Sequence, residues 1–277
     1  MHAVPTVGSA NRAAMVAVIE ARPRAHLERE DMNKKNFVGL LPLALVLAPA
    51  LASAEVNQPQ EIVARPLTTP GGQITVGGDV GLLSLKLIER TTSIGLGLSG
   101  AYGVSDDLEV GASYGFSLKE FEIKGDLNVN AAYSILKGNL SLAADVGFGY
   151  NVNGEALDPL TLGAEVRFNV NDQLAIYSPG HQLSIGLESP NAMALGLPVA
   201  VGYQVNKQIF AHVDTSIGTI ALKEGDSAFI FADYIPLQVG AFFSPSNTLD
   251  IGAAIDFLDL KHAGDAVGVI GSVRLHM

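Results

Sequence analysis

The sequence predicts an all-β fold, a closed antiparallel up-and-down transmembrane β-barrel of about 12 strands. Three observations support this prediction. Apolar side chains alternate with small or polar ones along most of the chain, as they do in a strand with two unlike faces. Short clusters of turn-forming residues separate these alternating segments. A segment with the features of a secretion signal precedes all of them.

The N-terminal region is not expected to belong to the fold. Met32 begins a segment with two lysines, an apolar stretch and a small-residue cleavage site that ends at Ala54. The apolar stretch is too short to cross about 30 Å of hydrocarbon, which takes about 20 residues. We therefore predict a cleaved signal peptide over residues 32–54, with residues 1–31 the result of a mis-set start codon.

Residues 55–72 follow the signal peptide and contain several prolines and a glycine pair, which predicts an extended segment. This segment is expected either in the periplasm or inside the barrel as a plug, and both placements remain open at this point. The barrel itself is predicted over residues 73–277. Its strands are predicted at 73–86, 92–104, 108–118, 126–136, 140–150, 160–170, 173–187, 192–205, 208–221, 228–243, 248–258 and 265–276.

The connections between the strands predict two different rims. Asp, Asn, Ser, Gly and Pro adopt turn dihedrals or bond back to their own backbone, so clusters of them predict tight turns. Longer connections alternate with the tight turns, which places the two kinds at opposite rims. An even number of strands puts both termini beside the tight turns, the periplasmic side of bacterial single-chain barrels. The tight turns are predicted at residues 105–107, 137–139, 171–172, 206–207 and 244–247.

The two faces of the strands favour lipid over a soluble core. On the third strand, Leu108 and Val110 share one face while Glu109 and Gly111 share the other. A soluble β-sandwich or lipocalin-like barrel would turn a polar face rich in charged residues and threonine to water. Here the second face consists largely of Gly, Ala and Ser, which suits a lumen. Aromatic residues near the ends of the apolar faces are typical of interfacial girdles.

The inward charges are mostly acidic and are the candidate pore-lining residues. A barrel of about 12 strands leaves a wider interior than the filled eight-stranded case. Rings of carboxylates favour cations in a water-filled pore, which predicts a passive, weakly cation-preferring pore for small solutes. The alternative is a non-conducting structural or interaction barrel in which these carboxylates pair with arginines. The inner wall is assigned Asp79, Glu109, Asp145, Glu165, Arg167, Asp214, Asp250, Asp256 and Arg274.

The sequence does not indicate a catalytic or metal site. In a continuous strand His181 and Ser184 point to opposite faces, whereas His212 and Asp214 share a face, and His262 lies in an outer connection. We interpret these residues as solvated polar groups, with an outer-membrane hydrolase as a lesser alternative. No cofactor is expected, because the histidines lack ligand spacing and the chain has no cysteine. The net charge of -11 disfavours nucleic acid as a partner.

A signal peptide followed by such strands resembles the bacterial outer-membrane β-barrel proteins, broadly the porin-like ones. The resemblance covers residues 32–277 and is one of pattern, without a family-specific motif. It implies a place in the outer membrane of a Gram-negative envelope, contact with outer-membrane lipid, and recognition of the C-terminal strand by the barrel insertion machinery. Met277 replaces the usual terminal aromatic residue, although it keeps the alternation with Val273 and Leu275.

Overall fold

The computed structural model describes residues 56–86, 90–117, 125–152, 156–187, 193–223, 230–231 and 235–277. The predicted signal peptide and the predicted mis-set start lie outside the described residues, so both stay predictions. Among the described residues, no helix is long and apolar enough to cross a membrane.

One antiparallel sheet of 14 strand segments closes on itself, because the last segment pairs with the first. Two barrel strands consist of two segments each, β7 with β8 and β11 with β12, so the barrel has the predicted 12 strands. The segments are β1 (Ile74–Lys86), β2 (Arg90–Gly103), β3 (Leu108–Ser117), β4 (Gly125–Leu136), β5 (Leu140–Asn151), β6 (Ala156–Asn169), β7 (Leu174–Ser178), β8 (Leu183–Ile185), β9 (Met193–Gln204), β10 (Ile209–Lys223), β11 (Ile230–Phe231), β12 (Leu237–Ser246), β13 (Leu249–Phe257) and β14 (Ala266–His276).

The tight turns form where side chains bond back to the backbone. Asn171 Oδ1 accepts hydrogen bonds from the backbone N–H groups two and three residues later, at 2.9 and 2.8 Å. Asn206 repeats this arrangement at 2.9 Å for both bonds. Ser105 Oγ does the same at 3.3 and 3.1 Å. Four predicted turns are confirmed in place, and the fifth is shifted to residues 247–248.

Both ends of the described chain meet at the rim that carries the tight turns. The backbone N–H of Ile74 donates to the Met277 carbonyl at 2.7 Å, and the Met277 N–H donates back at 2.8 Å. This pair continues the ladder that joins β1 to β14 and closes the barrel.

The apolar faces of the strands point outward and form a continuous belt. Leu98, Tyr133 and Ile135 are each more than half exposed. Soluble monomers do not expose an apolar patch that surrounds the whole molecule, whereas a membrane barrel requires one. The prediction of a closed antiparallel barrel with outward apolar faces is therefore confirmed. Exposed side chains of the belt include Val76, Val110, Val129, Val146, Ile176, Val201, Val213, Val239, Ile255 and Val273.

Candidate functional site

The inner surface of the barrel has two unlike walls. Along β10, β12, β13 and β14, which we call the packed wall, inward side chains are buried and outward ones are exposed, in alternation over most of each strand. Gln238 and Asp256, for example, are each 1% exposed. Along β2, β3 and β4, which we call the open wall, inward residues such as Ser99, Ser113 and Asn128 remain partly exposed. The lumen is therefore asymmetric.

A column of rings fills the packed wall. The rings of Phe210 and His212 stack with centroids 6.2 Å apart, and His212 stacks on Phe242 at 5.6 Å. The Arg274 guanidinium carbon lies 4.5 Å from the centroid of the Phe242 ring. The sequence analysis did not place Phe210 or Phe242 inside the barrel. Their parity could have shown it, since Phe210 shares a face with His212 and Phe242 shares one with Gln238.

Residues 56–72, which we call the plug segment, lie inside the barrel at the rim of the tight turns. A 3-10 turn, Ile62–Ala64, directs Ile62 and Val63 into the apolar cluster that also contains Phe210 and Phe242. Leu67 is buried in the same cluster. Residues 56–72 thus lie within the barrel, and their role as a plug stays a prediction. The alternation of apolar and polar residues in the sequence describes strands, so it could not decide where an irregular segment lies.

Arg65 attaches the plug segment to the packed wall. Its guanidinium donates to both carboxylate oxygens of Asp250, at 2.6 and 2.9 Å, and the two side chains are 3% and 0% exposed. Asp250 also accepts from Ser244 Oγ at 2.5 Å and bonds His276 Nε2 at 2.8 Å. The remaining Arg65 donors bond to carbonyl groups of the plug segment itself. Such a bidentate, charge-assisted pair fixes both position and orientation.

Three further anchors hold the plug segment across the mouth of the barrel. Arg167 on β6 donates to the backbone carbonyl of Arg65 at 2.7 Å. Gln204 on β9 accepts from a backbone N–H of the 3-10 turn at 3.2 Å. Glu109 on β3 accepts from the Thr69 backbone N–H at 2.6 Å and from its hydroxyl at 2.5 Å. Because β3, β6, β9 and β13 are spread around the barrel, the plug segment spans its mouth.

The strand predicted at residues 173–187 is interrupted, and this part of the prediction is wrong. Residues 179–182, which we call the inward turn, leave the sheet between β7 and β8. Pro179 has no backbone N–H to give to the ladder, and His181 has a φ of 60°, a left-handed conformation that no strand contains. The Gln182 side chain supplies the hydrogen bonds that a continuous strand would make here. Its Oε1 accepts from Ala164 N–H and its Nε2 donates to Ala164 O, both at 2.7 Å.

The inward turn places His181 in the lumen beside Asp145. The His181 backbone N–H donates to Asp145 Oδ1 at 2.8 Å, and its ring Nδ1 lies 2.5 Å from the same oxygen. Thr161 Oγ1 lies 3.1 Å from that ring nitrogen. A Cβ at Gly163 would collide with atoms of the inward turn, and a Cβ at Gly147 would collide with Thr161 Oγ1 and crowd the His181 ring. The sequence suggested that small inward residues widen the lumen. At these two positions they instead leave space for the inward turn.

The candidate pore-lining residues occupy inward positions in several different settings. Glu109, Arg167 and Asp250 hold the plug segment. Asp145 holds the inward turn, and Arg274 lies over the Phe242 ring. Whether they line an open pore stays a prediction. The other four are Asp79, which is partly exposed, and Glu165, Asp214 and Asp256, which are buried.

The residues that the sequence analysis considered for catalysis form hydrogen bonds with structural neighbours. Asp214 accepts from the Tyr177 hydroxyl at 3.1 Å and bonds the ring of His212, which is stacked between two phenylalanines. His181 bonds Asp145 and Thr161, as described above. Within the described residues, no group of three His, Cys, Asp or Glu side chains is arranged to hold a metal ion.

The third pairing, between Asp259 and His262, caps a surface turn. Asp259 accepts from the backbone N–H of Lys261 at 3.1 Å, at the start of the 3-10 turn Leu260–His262. Its carboxylate lies 2.7 Å from His262 Nδ1, and this hydrogen bond lowers the pKa of Asp259 below its ordinary value. The pair therefore has a structural role at the rim of the longer connections.

Comparisons with known proteins support the fold. No protein-family model and no curated protein matches the sequence. Among solved structures, the chain is similar to the NanC porin, with a TM-score of 0.55, 10% identity, and coverage of 72% of this chain and 98% of that chain. It is also similar to the KdgM porin, with a TM-score of 0.51, 9% identity, and coverage of 72% and 98%. The KdgM porin in complex with disordered oligogalacturonate matches with a TM-score of 0.53, 8% identity, and coverage of 73% and 98%. The barrel thus has the fold of the outer-membrane porins.

Proposed function

We propose that this protein is an outer-membrane channel, a passive and weakly cation-preferring pore for small solutes whose mouth at the tight turns is closed by the plug segment. The observation that carries the proposal is a polar, partly exposed open wall beside a segment attached at separate polar anchors. A barrel with a purely structural role has no need of an accessible polar wall. Anchors made of hydrogen bonds and an ion pair can be released without unfolding the sheet.

The charges of the lumen support the cation preference. Carboxylates outnumber arginines at the inward positions assigned from the sequence, and acidic rings favour cations in water-filled pores. Two of the carboxylates, Glu109 and Asp250, are occupied by the plug segment. Release of the plug segment would return both charges to the lumen and strengthen the preference. The KdgM porin is solved with oligogalacturonate, a sugar chain with carboxylates, whereas this lumen is suited to neutral or cationic solutes.

The same proposal covers the export of the protein, its insertion into the membrane and the lipid around it. We infer that signal peptidase cleaves after Ala54, that outer-membrane lipid covers the apolar belt, and that the insertion machinery binds the C-terminal strand. Val273 and Leu275 on β14 point outward and are exposed, so they are available to such a partner.

Current through planar bilayers tests the channel. Arg65→Ala removes the ion pair with Asp250, and we expect it to raise the single-channel conductance above that of the wild-type protein. Lys137→Ala is the matched control, because Lys137 forms an exposed ion pair with Asp107 at the same rim. In a potassium chloride gradient, the reversal potential should show a preference for K⁺ over Cl⁻. The folded state of each variant is checked by its gel shift on boiling.

A non-conducting structural barrel is the second candidate, and the buried packed wall favours it. If neither the wild-type protein nor Arg65→Ala carries current, although both show the gel shift of a folded barrel, this second candidate replaces the channel.

A further inference from the structure

We propose that the inward turn, residues 179–182, is the constriction that sets the charge selectivity of the lumen, through the Asp145 carboxylate, which lies beneath the turn at 6% exposure, and the exposed ring of His181. The inference rests on the proposed channel function and deepens it. It assigns a selectivity role to a turn within a barrel strand.

The inward turn is fixed to both neighbouring strands. Gln182 is bonded to the Ala164 backbone of β6 through its side chain, and its carbonyl accepts from the Gly196 N–H of β9 at 2.7 Å. Ser178, which precedes the turn, donates from Oγ to the Pro198 carbonyl at 2.8 Å. The turn is thus held over the lumen at both of its ends, as a constriction must be if it is to select ions by position.

The wall beneath the inward turn is shaped to receive it. A Cβ at Gly163 would meet the backbone nitrogens of His181 and Gln182, and a Cβ at Gly180 would meet the Asp145 carboxylate. Gly115, an inward glycine of the open wall, has nothing within 4 Å of such a Cβ. Gly163 therefore has no room for a methyl group beneath the turn, whereas Gly115 has.

His181 presents one ring nitrogen to the lumen. Asp145 and Thr161 engage Nδ1, while the side chain is 38% exposed. In the part of the chain that the structure describes, Nε2 has no hydrogen-bond partner.

The other charges near the inward turn come from the strands around it. On β6, Glu165 and Arg167 lie next along the inward face, and Arg167 is engaged by the plug segment. Asp145 on β5 and Glu109 on β3 face the neutral Ala132 from opposite sides of β4. The elements β7, β8 and β9 contribute Tyr177, Ser184 and Gly196, none of which carries a charge near neutral pH. The balance is acidic, so the site is expected to favour cations.

Reversal potentials of the full chain in planar bilayers test the proposal. At pH 8 we expect Asp145→Asn to lower the K⁺/Cl⁻ permeability ratio by about threefold. Asp259→Asn is the matched control, since Asp259 pairs with His262 outside the lumen, and it should leave the ratio unchanged.

A pair of glycine variants tests the position of the constriction without altering a charge. Gly163→Ala should displace the inward turn and change the single-channel conductance, whereas Gly115→Ala should leave it unchanged. If current flows but the wild-type reversal potential is retained in Asp145→Asn, the selectivity site lies elsewhere and the channel proposal stands. Absence of current from every folded variant overturns the channel and this inference together.

Discussion

The packed wall and the open wall are built from the same kind of alternating strand, yet their inward side chains behave differently. On the packed wall, rings and charged groups contact the plug segment or one another. On the open wall, inward serines and asparagines such as Ser99, Ser113 and Asn128 are shorter and remain partly exposed. The comparison teaches that alternation sets which side chains point inward, whereas their size decides whether that side of the barrel is filled.

The largest expected effect tests the filling of the packed wall. Phe210 is fully buried, so Phe210→Ala should lower the free energy of unfolding by about 3–5 kcal/mol, through lost burial and a new cavity. Ser113→Ala on the open wall should change it by no more than about 0.5 kcal/mol. Urea titration with the boiling-dependent gel shift as readout measures both values. Equal losses would show that the two walls do not differ.

The next effect compares the anchors that the two walls give to the plug segment. Asp250→Asn leaves the buried Arg65 guanidinium without its charged partner and should cost about 3 kcal/mol. Glu109→Gln should cost less, because Glu109 accepts from neutral groups of Thr69 and is partly exposed. Protease cleavage within the plug segment, located by mass spectrometry, should be faster in Asp250→Asn. The reverse order would contradict the greater weight assigned to the packed wall.

A smaller effect comes from adding one methyl group to each wall. A Cβ at Gly252 on the packed wall would collide with Ser272 Oγ and the Phe242 ring, so Gly252→Ala should destabilise the barrel by about 1–3 kcal/mol. A Cβ at Gly115 on the open wall meets open space, so Gly115→Ala should be close to neutral. The same urea titration measures both changes. An unchanged free energy of unfolding in Gly252→Ala would show that the packed wall has space for the methyl group.

The smallest effect concerns the connection between two strands of the packed wall. The hydrogen bond from His262 lowers the folded-state pKa of Asp259 below the ordinary 3.8. A lowered pKa stabilises the fold at pH values above the ordinary one, and this stabilisation is lost as the pH falls through the folded-state value. Protection of the 3-10 turn Leu260–His262 against hydrogen exchange, taken relative to an unstructured peptide at the same pH, should therefore fall below about pH 4 in the wild-type protein. Asp259→Asn should show low protection at every pH.

The sequence predicted the parts of the molecule that depend on local pattern. The number of strands, the tight turns and the outward belt follow from alternation and turn chemistry, and Asn171 and Asn206 show the physical basis of the turns. The inward or outward position of a charged residue follows from the same alternation.

The contacts inside the lumen could not be predicted in this way. Arg65 and Asp250 are 185 residues apart, and no local pattern records their pairing. The interruption at residues 179–182 did leave a trace, since Pro179 and Gly180 are unsuited to a central strand. The sequence does not show what replaces the lost backbone hydrogen bonds. The glutamine side chain that replaces them contacts its partner only in the folded barrel.

The position of Arg65 also imposes an order on assembly. Its binding site combines Asp250 of β13 with His276 of β14, which follow Arg65 by more than 180 residues. The plug segment therefore cannot dock until the hairpin of β13 and β14 is in place. A chain truncated before that hairpin would leave the plug segment unattached, so a docked Arg65 reports a closed barrel.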